Sequence, residues 1–86
     1  MPEVLRHVDG NALGGLLIEV FGREMTAVRQ RCGQCGSVRE FGALRAYTRG
    51  PGDVLRCPDC DTVLVVCVRI AGRHRVALPS VGWLEM

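Results

Sequence analysis

The chemistry in this chain is concentrated in two short stretches, Cys32-Gly33-Gln34-Cys35 and Cys57-Pro58-Asp59-Cys60. Two cysteines three apart on a tight turn can aim both sulfurs at one ion, but one such turn supplies only half a tetrahedron. A spacer of 21 residues, 36–56, separates the pairs, so the chain can fold back and complete the set. The doubled pattern predicts metal ligation by Cys32, Cys35, Cys57 and Cys60, with one Zn2+ per chain as the expected ion. Gly33 and Gly36 are expected to take the positive φ values that such turns require. In the second turn Pro58 presets φ, and Asp61 is among the few non-glycine residues that tolerate the left-handed region.

Four thiolates close a site. A catalytic zinc keeps one coordination position for water or substrate and usually has three protein ligands. Elsewhere His7 and His74 are far apart in sequence, each reading as a surface or edge residue, and no carboxylate pair or nucleophile accompanies them. Ser37 and Ser80 have no adjacent base. Catalysis is not expected, nor is a small-molecule substrate. The fifth cysteine, Cys67, lies between Val66 and Val68 and reads as a small buried hydrophobe. A redox sensor would need exposure and a cationic neighbour; Arg69, two residues on, could share its face.

With 86 residues the chain is expected to form one domain, 1–86. Such a chain buries a modest share of its surface, so a metal staple is an expected part of its stability. Structural zinc can contribute on the order of 10 kcal/mol to folding, which implies an unfolded or molten apo-protein. A hydrophobic content of 48% with one Trp, one Tyr and two Phe predicts an aliphatic core and excludes disorder. All 11 basic residues are arginine, and the formal charge is +2. Zinc with four thiolates carries a net charge of about −2, bringing the whole near neutrality. Residues 25–78 hold nine arginines against four acids, a mild positive bias rather than a nucleic-acid footprint. An odd cysteine count, no basic leader and no run long enough to span a bilayer predict a reduced, cytoplasmic setting away from membranes.

These side chains need elements to hold them. Residues 1–8 carry no pattern and read as a lead-in. A helix is predicted over about 10–22, capped by Asp9 or Asn11 and stopped at Gly22. Its apolar stripe is Ala12, Leu13, Leu16, Leu17, Val20 and Phe21, with Ile18 outside it. The ribbon and hairpin are predicted over about 25–78. Residues 25–31 read as a strand with Met25, Ala27 and Arg29 on one face; 38–41 and 43–48 follow as strand broken near Gly42. Gly50-Pro51-Gly52-Asp53 is a turn, and 54–56 lead into the second cysteine pair. Residues 62–70 form the strongest strand, with Leu64, Val66, Val68 and Ile70 on one face and Val63, Val65, Cys67 and Arg69 on the other. Burial of the first of these faces favours a three-residue loop, 71–73, pairing Ile70 with His74, Val68 with Val76 and Val66 with Leu78. A two-residue loop over Ala71-Gly72 would bring Arg73 and Arg75 onto that face. Residues 80–86 read as a tail whose Val81, Trp83 and Leu84 can cover an open flank.

The expected class is a small metal-bound α+β fold, a zinc ribbon of antiparallel strands with one N-terminal helix packed alongside. Asp9-Gly10-Asn11, Leu16-Leu17, Val20-Phe21-Gly22, Tyr47-Thr48-Arg49, Pro51-Gly52 and the two cysteine knuckles resemble a small bacterial zinc-ribbon family of unknown function, over 9–78. That resemblance implies the metal and the fold and brings no activity. The knuckles are also similar to those of rubredoxins, which hold iron in four thiolates. Asp61, however, stands where glycine is usual, and this chain is basic and aliphatic where rubredoxins are acidic with an aromatic cluster.

Three roles follow. The first is an adaptor that binds another protein, or a second copy of itself, through the helix, within a transcription, translation or redox assembly. The second is a nucleic-acid-binding ribbon using Tyr47 between Arg45 and Arg49 on one strand face. The third is a rubredoxin-like electron carrier. Two or three phosphate contacts would give only weak, shallowly salt-dependent binding, so the first role is preferred.

Overall fold

Asp9 starts the ordered architecture. In the computed structural model, which describes residues 8–86, its carboxylate accepts the Asn11 N–H at 3.1 Å and opens a 3-10 turn over Gly10–Leu13. The turn runs directly into helix α1, Gly14–Phe21. Gly22, at φ 76°, ends it by returning its N–H to the Ile18 carbonyl at 2.7 Å. Leu13 and Leu17 are buried, Leu16, Val20 and Phe21 pack against the core, and Ile18 faces outward. Ala12 departs from the expected stripe and is exposed. It sits in the 3-10 segment, whose period of three turns it away from the 3.6-residue stripe. His7 and most of the lead-in lie outside the described residues, but Val8 belongs to a short strand.

Among the described residues eight strands form two antiparallel sheets, which with the helix make a small α+β fold. The larger sheet has the order β1-β4-β5-β6-β7, from Val8–Asp9, Arg45–Tyr47, Asp53–Arg56, Val63–Ile70 and Arg73–Ala77. The smaller has the order β3-β2-β8, from Val38–Glu40, Arg29–Cys32 and Val81–Glu85. Met25, Val28, Phe41, Leu44, Ala46, Leu55, Leu64 and Val65 join Leu13 and Leu17 in the core, where the Phe21 and Phe41 rings meet tilted at 6.4 Å. No helix among the described residues is long and apolar enough to cross a membrane.

The strand expected over 25–31 begins only at Arg29. Before it, the Val28 N–H bonds the Met25 carbonyl at 2.9 Å, while Glu24 accepts both the Thr26 N–H and its hydroxyl. That turn breaks the period of two: Met25 is buried, Ala27 and Arg29 face out, and on β2 the inward residues are Gln30 and Cys32. The break near Gly42 is a 3-10 turn, Phe41–Ala43.

The hairpin register overturns the expectation. Ile70 pairs with Arg73, Val68 with Arg75 and Val66 with Ala77, across the two-residue turn Ala71-Gly72. Both turn residues have positive φ, 52° and 78°, the mirror-image turn whose twist matches that of the flanking strands. The face expected to be buried is buried only at Leu64, beside the irregularity between Leu55 and Arg56. Val65 and Cys67 turn inward with Ala46 and Leu55, whereas Val66 and Val68 are half-buried and Ile70 is exposed. The tail also exceeds its reading as a loose cover. Residues 81–85 pair with β2, setting Trp83 beside Arg31 and Glu85 beside Arg29, with which it forms an ion pair.

Ala71 is a β-carbon-bearing residue in a left-handed conformation. Left-handed backbone costs such residues roughly 1–2 kcal/mol, and asparagine tolerates it better. Ala71→Asn should therefore stabilise the protein by about 0.5–1 kcal/mol in chemical denaturation. Destabilisation by this substitution would contradict the two-residue turn.

Candidate metal centre

The two cysteine pairs adopt the same backbone conformation. In the first, the Cys32 N–H bonds the Ser37 carbonyl at 2.8 Å and the Gly36 N–H returns to the Cys32 carbonyl at 2.9 Å. In the second, Cys57 N–H to Thr62 O is 2.9 Å and Asp61 N–H to Cys57 O is 2.8 Å. Gly36 and Asp61 occupy equivalent left-handed positions, φ 83° and 65°. Arg56 holds Asp61 there, donating to its carbonyl at 2.8 Å with its carboxylate 3.7 Å away. Gly33 was expected at positive φ and is not. A side chain there would collide with the Ser80 carbonyl, which accepts the Gly33 N–H at 2.6 Å as β8 begins.

Strand β2 ends in Cys32, and the first turn follows; the second turn joins β5 to β6. Together they bring the four sulfurs within 4.8 Å of one another. Cys32 Sγ lies 3.7 Å from Cys60 Sγ, and Cys35 Sγ lies 3.7 Å from Cys57 Sγ. A tetrahedron with metal–sulfur bonds of about 2.3 Å has edges of about 3.8 Å, so the donor set fits an ion of that size. Cys32 and Cys57 are buried, whereas Cys35 and Cys60 face solvent. All four residues expected as ligands thus converge, and the cluster could hold a metal ion.

The thiols polarise one another unevenly. Thr62, whose hydroxyl lies 3.2 Å from Cys60 Sγ, draws the Cys60 thiol down to about 7. The Ser37 amide favours the Cys35 thiolate, but desolvation and the three neighbouring sulfurs outweigh it and push Cys35 up to about 12. Burial raises Cys57. One unneutralised cluster cannot accommodate four negative charges at these separations, and a divalent cation is the species that would remove the conflict.

A clamp that the sequence reading missed ties the two turns together. Arg39, on β3, donates to both oxygens of Asp59, each at 2.8 Å, and Ser37 donates to the same carboxylate at 2.5 Å. The Asp59 N–H in turn points at Cys57 Sγ at 3.4 Å. The Arg39 and Ser37 hydrogen bonds hold the Asp59 carboxyl down at about 2. Nothing in the spacing of Ser37, Arg39 and Asp59 announces this contact; the pairing of β3 with β2 creates it.

The remaining candidates lie elsewhere. Cys67 is buried on β6 opposite Asp53, outside the sulfur cluster, and burial raises its thiol. Its expected role as a small buried side chain matches its place. Arg45 and Tyr47 share a face of β4, but Arg49 falls beyond the strand in a bend. Arg56 instead covers the Tyr47 ring, its guanidinium 5.6 Å from the centroid. His74 Nε2 lies 2.9 Å from Glu19 Oε1, joining the hairpin to α1.

The class defined here is a small α+β domain of antiparallel sheets with a four-cysteine cluster able to hold a metal. The chain belongs to DUF6510, a family of unknown function, whose model matches residues 4–86. No curated protein and no solved structure matches it.

Removing the clamp should loosen the second turn and expose the Asp59–Cys57 contact. Groups that orient metal ligands typically matter by about 10–100-fold in affinity. Asp59→Ala is expected to lower metal affinity by about that factor in competition with a chromogenic chelator, whereas Asp53→Ala should not.

Proposed function

We propose that the chain is a non-catalytic zinc ribbon, in which Cys32, Cys35, Cys57 and Cys60 hold one structural Zn2+ and the strands present a surface to a protein partner. The observation that carries the metal reading is the pair of 3.7 Å sulfur separations within a set spanning 4.8 Å. Four thiolates in that arrangement fill a tetrahedron and leave no position for substrate, which supports a structural ion over a catalytic one. Zinc would supply neutralisation of the thiolates and a cross-link between the two sheets' ends.

The adaptor role draws support from what the cluster lacks around it. Tyr47, the aromatic centre of the nucleic-acid reading, is covered by Arg56, and Arg49 does not share its strand. Most of the apolar stripe of α1 packs inward, leaving Ile18 as its exposed large aliphatic residue. A partner contact through the helix is therefore narrow, and the sheets offer more surface. An electron carrier would require iron in the same thiolates.

Protein purified from cells supplied with both metals should contain one zinc per chain by elemental analysis and be colourless. Zinc is d10 and has no visible thiolate band, whereas iron in this set absorbs strongly. A red preparation that bleaches on reduction would replace zinc by iron and favour the electron carrier. Cys57→Ser should lose most of the metal and, with it, near-UV ellipticity, while Cys67→Ser retains one zinc per chain. Equal loss in both variants would refute the ligand assignment.

A further inference from the structure

The two faces of the larger sheet are unlike. One carries Ala46, Leu55, Val65 and Cys67, all buried. Residues directly paired across antiparallel strands share a face, so the register puts Val54, Val66 and Ala77 in one row of the opposite face and Val68 beside Arg75 in the next. Ile70 and Arg73 form the row beyond that. Val66, Val68 and Ile70 of β6 and Arg75, Val76 and Ala77 of β7 line an open groove of about 380 Å³, and Arg73 sits beside it, opposite Ile70. Ile70 is 44% exposed, and Leu78, just past β7, is 37% exposed.

The charge on this face divides. At the knuckle end, Arg56 lies beside Asp61, and Arg45 is close enough to Asp59 to lower its pKa. At the hairpin end, Arg73 and Arg75 have no ion-pair or hydrogen-bond partner among the described residues. Among the described residues strand β7 is also an edge of its sheet. Two free guanidiniums beside an aliphatic groove and an open strand edge call for a ligand with alternating acidic and aliphatic side chains in extended conformation.

We infer that the β6–β7 hairpin docks an extended acidic-aliphatic segment of a protein partner, with aliphatic side chains in the Val66–Val68–Ile70 groove and carboxylates on Arg73 and Arg75. This assignment rests on the adaptor reading and specifies its surface. A second copy of the chain fits poorly, because antiparallel pairing of two β7 strands centred on Arg75 sets arginine against arginine. A nucleic acid fits poorly too. Base binding wants an open aromatic platform, and this groove is aliphatic, with the Tyr47 ring covered by Arg56.

The test uses the full zinc-loaded chain and three probes: a synthetic peptide alternating glutamate with valine and isoleucine, its lysine-for-glutamate counterpart, and a mixed-sequence single-stranded RNA. Amide NMR shifts on adding the glutamate peptide should centre on residues 66–70 and 73–77, with the lysine peptide and the RNA binding at least about tenfold more weakly. Arg73→Glu with Arg75→Glu should weaken the glutamate peptide by at least about tenfold, keep one zinc, and gain affinity for the lysine peptide. Arg73→Ser with Arg75→Ser, a milder change, should weaken the glutamate peptide without that gain. Absence of glutamate-peptide binding, equal affinity for the two peptides, preference for RNA, or shifts confined to β8 would each overturn the hairpin site. Affinity capture from native extract with the wild-type and charge-reversed chains separates the two levels. Identical proteins retained by both leave the adaptor role standing and remove the hairpin; nothing retained by either removes the adaptor role itself, while the peptide data still decide the groove.

Discussion

Four sulfurs gathered within 4.8 Å are the constraint on which the rest of this structure depends. Thiols that close are unfavourable neighbours once ionised, and the backbone around them is arranged to hold them together regardless. Each turn closes on itself by the same two hydrogen bonds, and each needs one left-handed residue. The turns come from different sheets. Any ion held between them therefore links β2 to the β5–β6 turn, joining sheets otherwise held by a small apolar core and the Arg39–Asp59 clamp. In a chain of 86 residues that core has limited burial to offer, so a metal cross-link at one end would have a large share in cohesion.

The same economy of size explains why side chains near the cluster act in both turns at once. Arg39 reaches from β3 to Asp59 in the opposite turn, and Arg56 fixes Asp61 where glycine would otherwise relieve the backbone. Arg31 lies against Gly36, so the guanidiniums of β2, β3 and β5 all border the knuckles. An all-arginine basic set suits this use, since a planar fork can satisfy two acceptors together. Arg73 and Arg75 stand apart from that pattern. They share a strand distant in sequence from either turn, and their guanidiniums have no ion-pair partner among the described residues.

How legible all this was depended on whether a feature is local. The cysteine pairs, the cap at Asp9, the stop at Gly22, the strand over Val63–Ile70 and the break at Phe41–Ala43 each follow from residues a few positions apart, and each could be read directly. Hairpin register was the instructive failure. Ala71-Gly72 carries the local turn signal, and the face whose burial argues against it is open beyond Leu64. Alternation along a strand says that two faces differ; it does not say which one meets the helix.

By itself, the sequence determined which four cysteines form the cluster, the helix and the antiparallel α+β class, because spacing and periodicity are properties of neighbouring residues. Only the tertiary structure decided that β8 would extend the sheet bearing Cys32, that Ser37 and Arg39 would clamp Asp59, and that Val68 and Ile70 would stay open beside Arg75 and Arg73. The last of these depends on which face of the larger sheet the helix α1 covers. Val65 and Cys67, in line with Ala46 and Leu55, form a buried row beneath it, and a single eight-residue helix covers only one side of a five-stranded sheet.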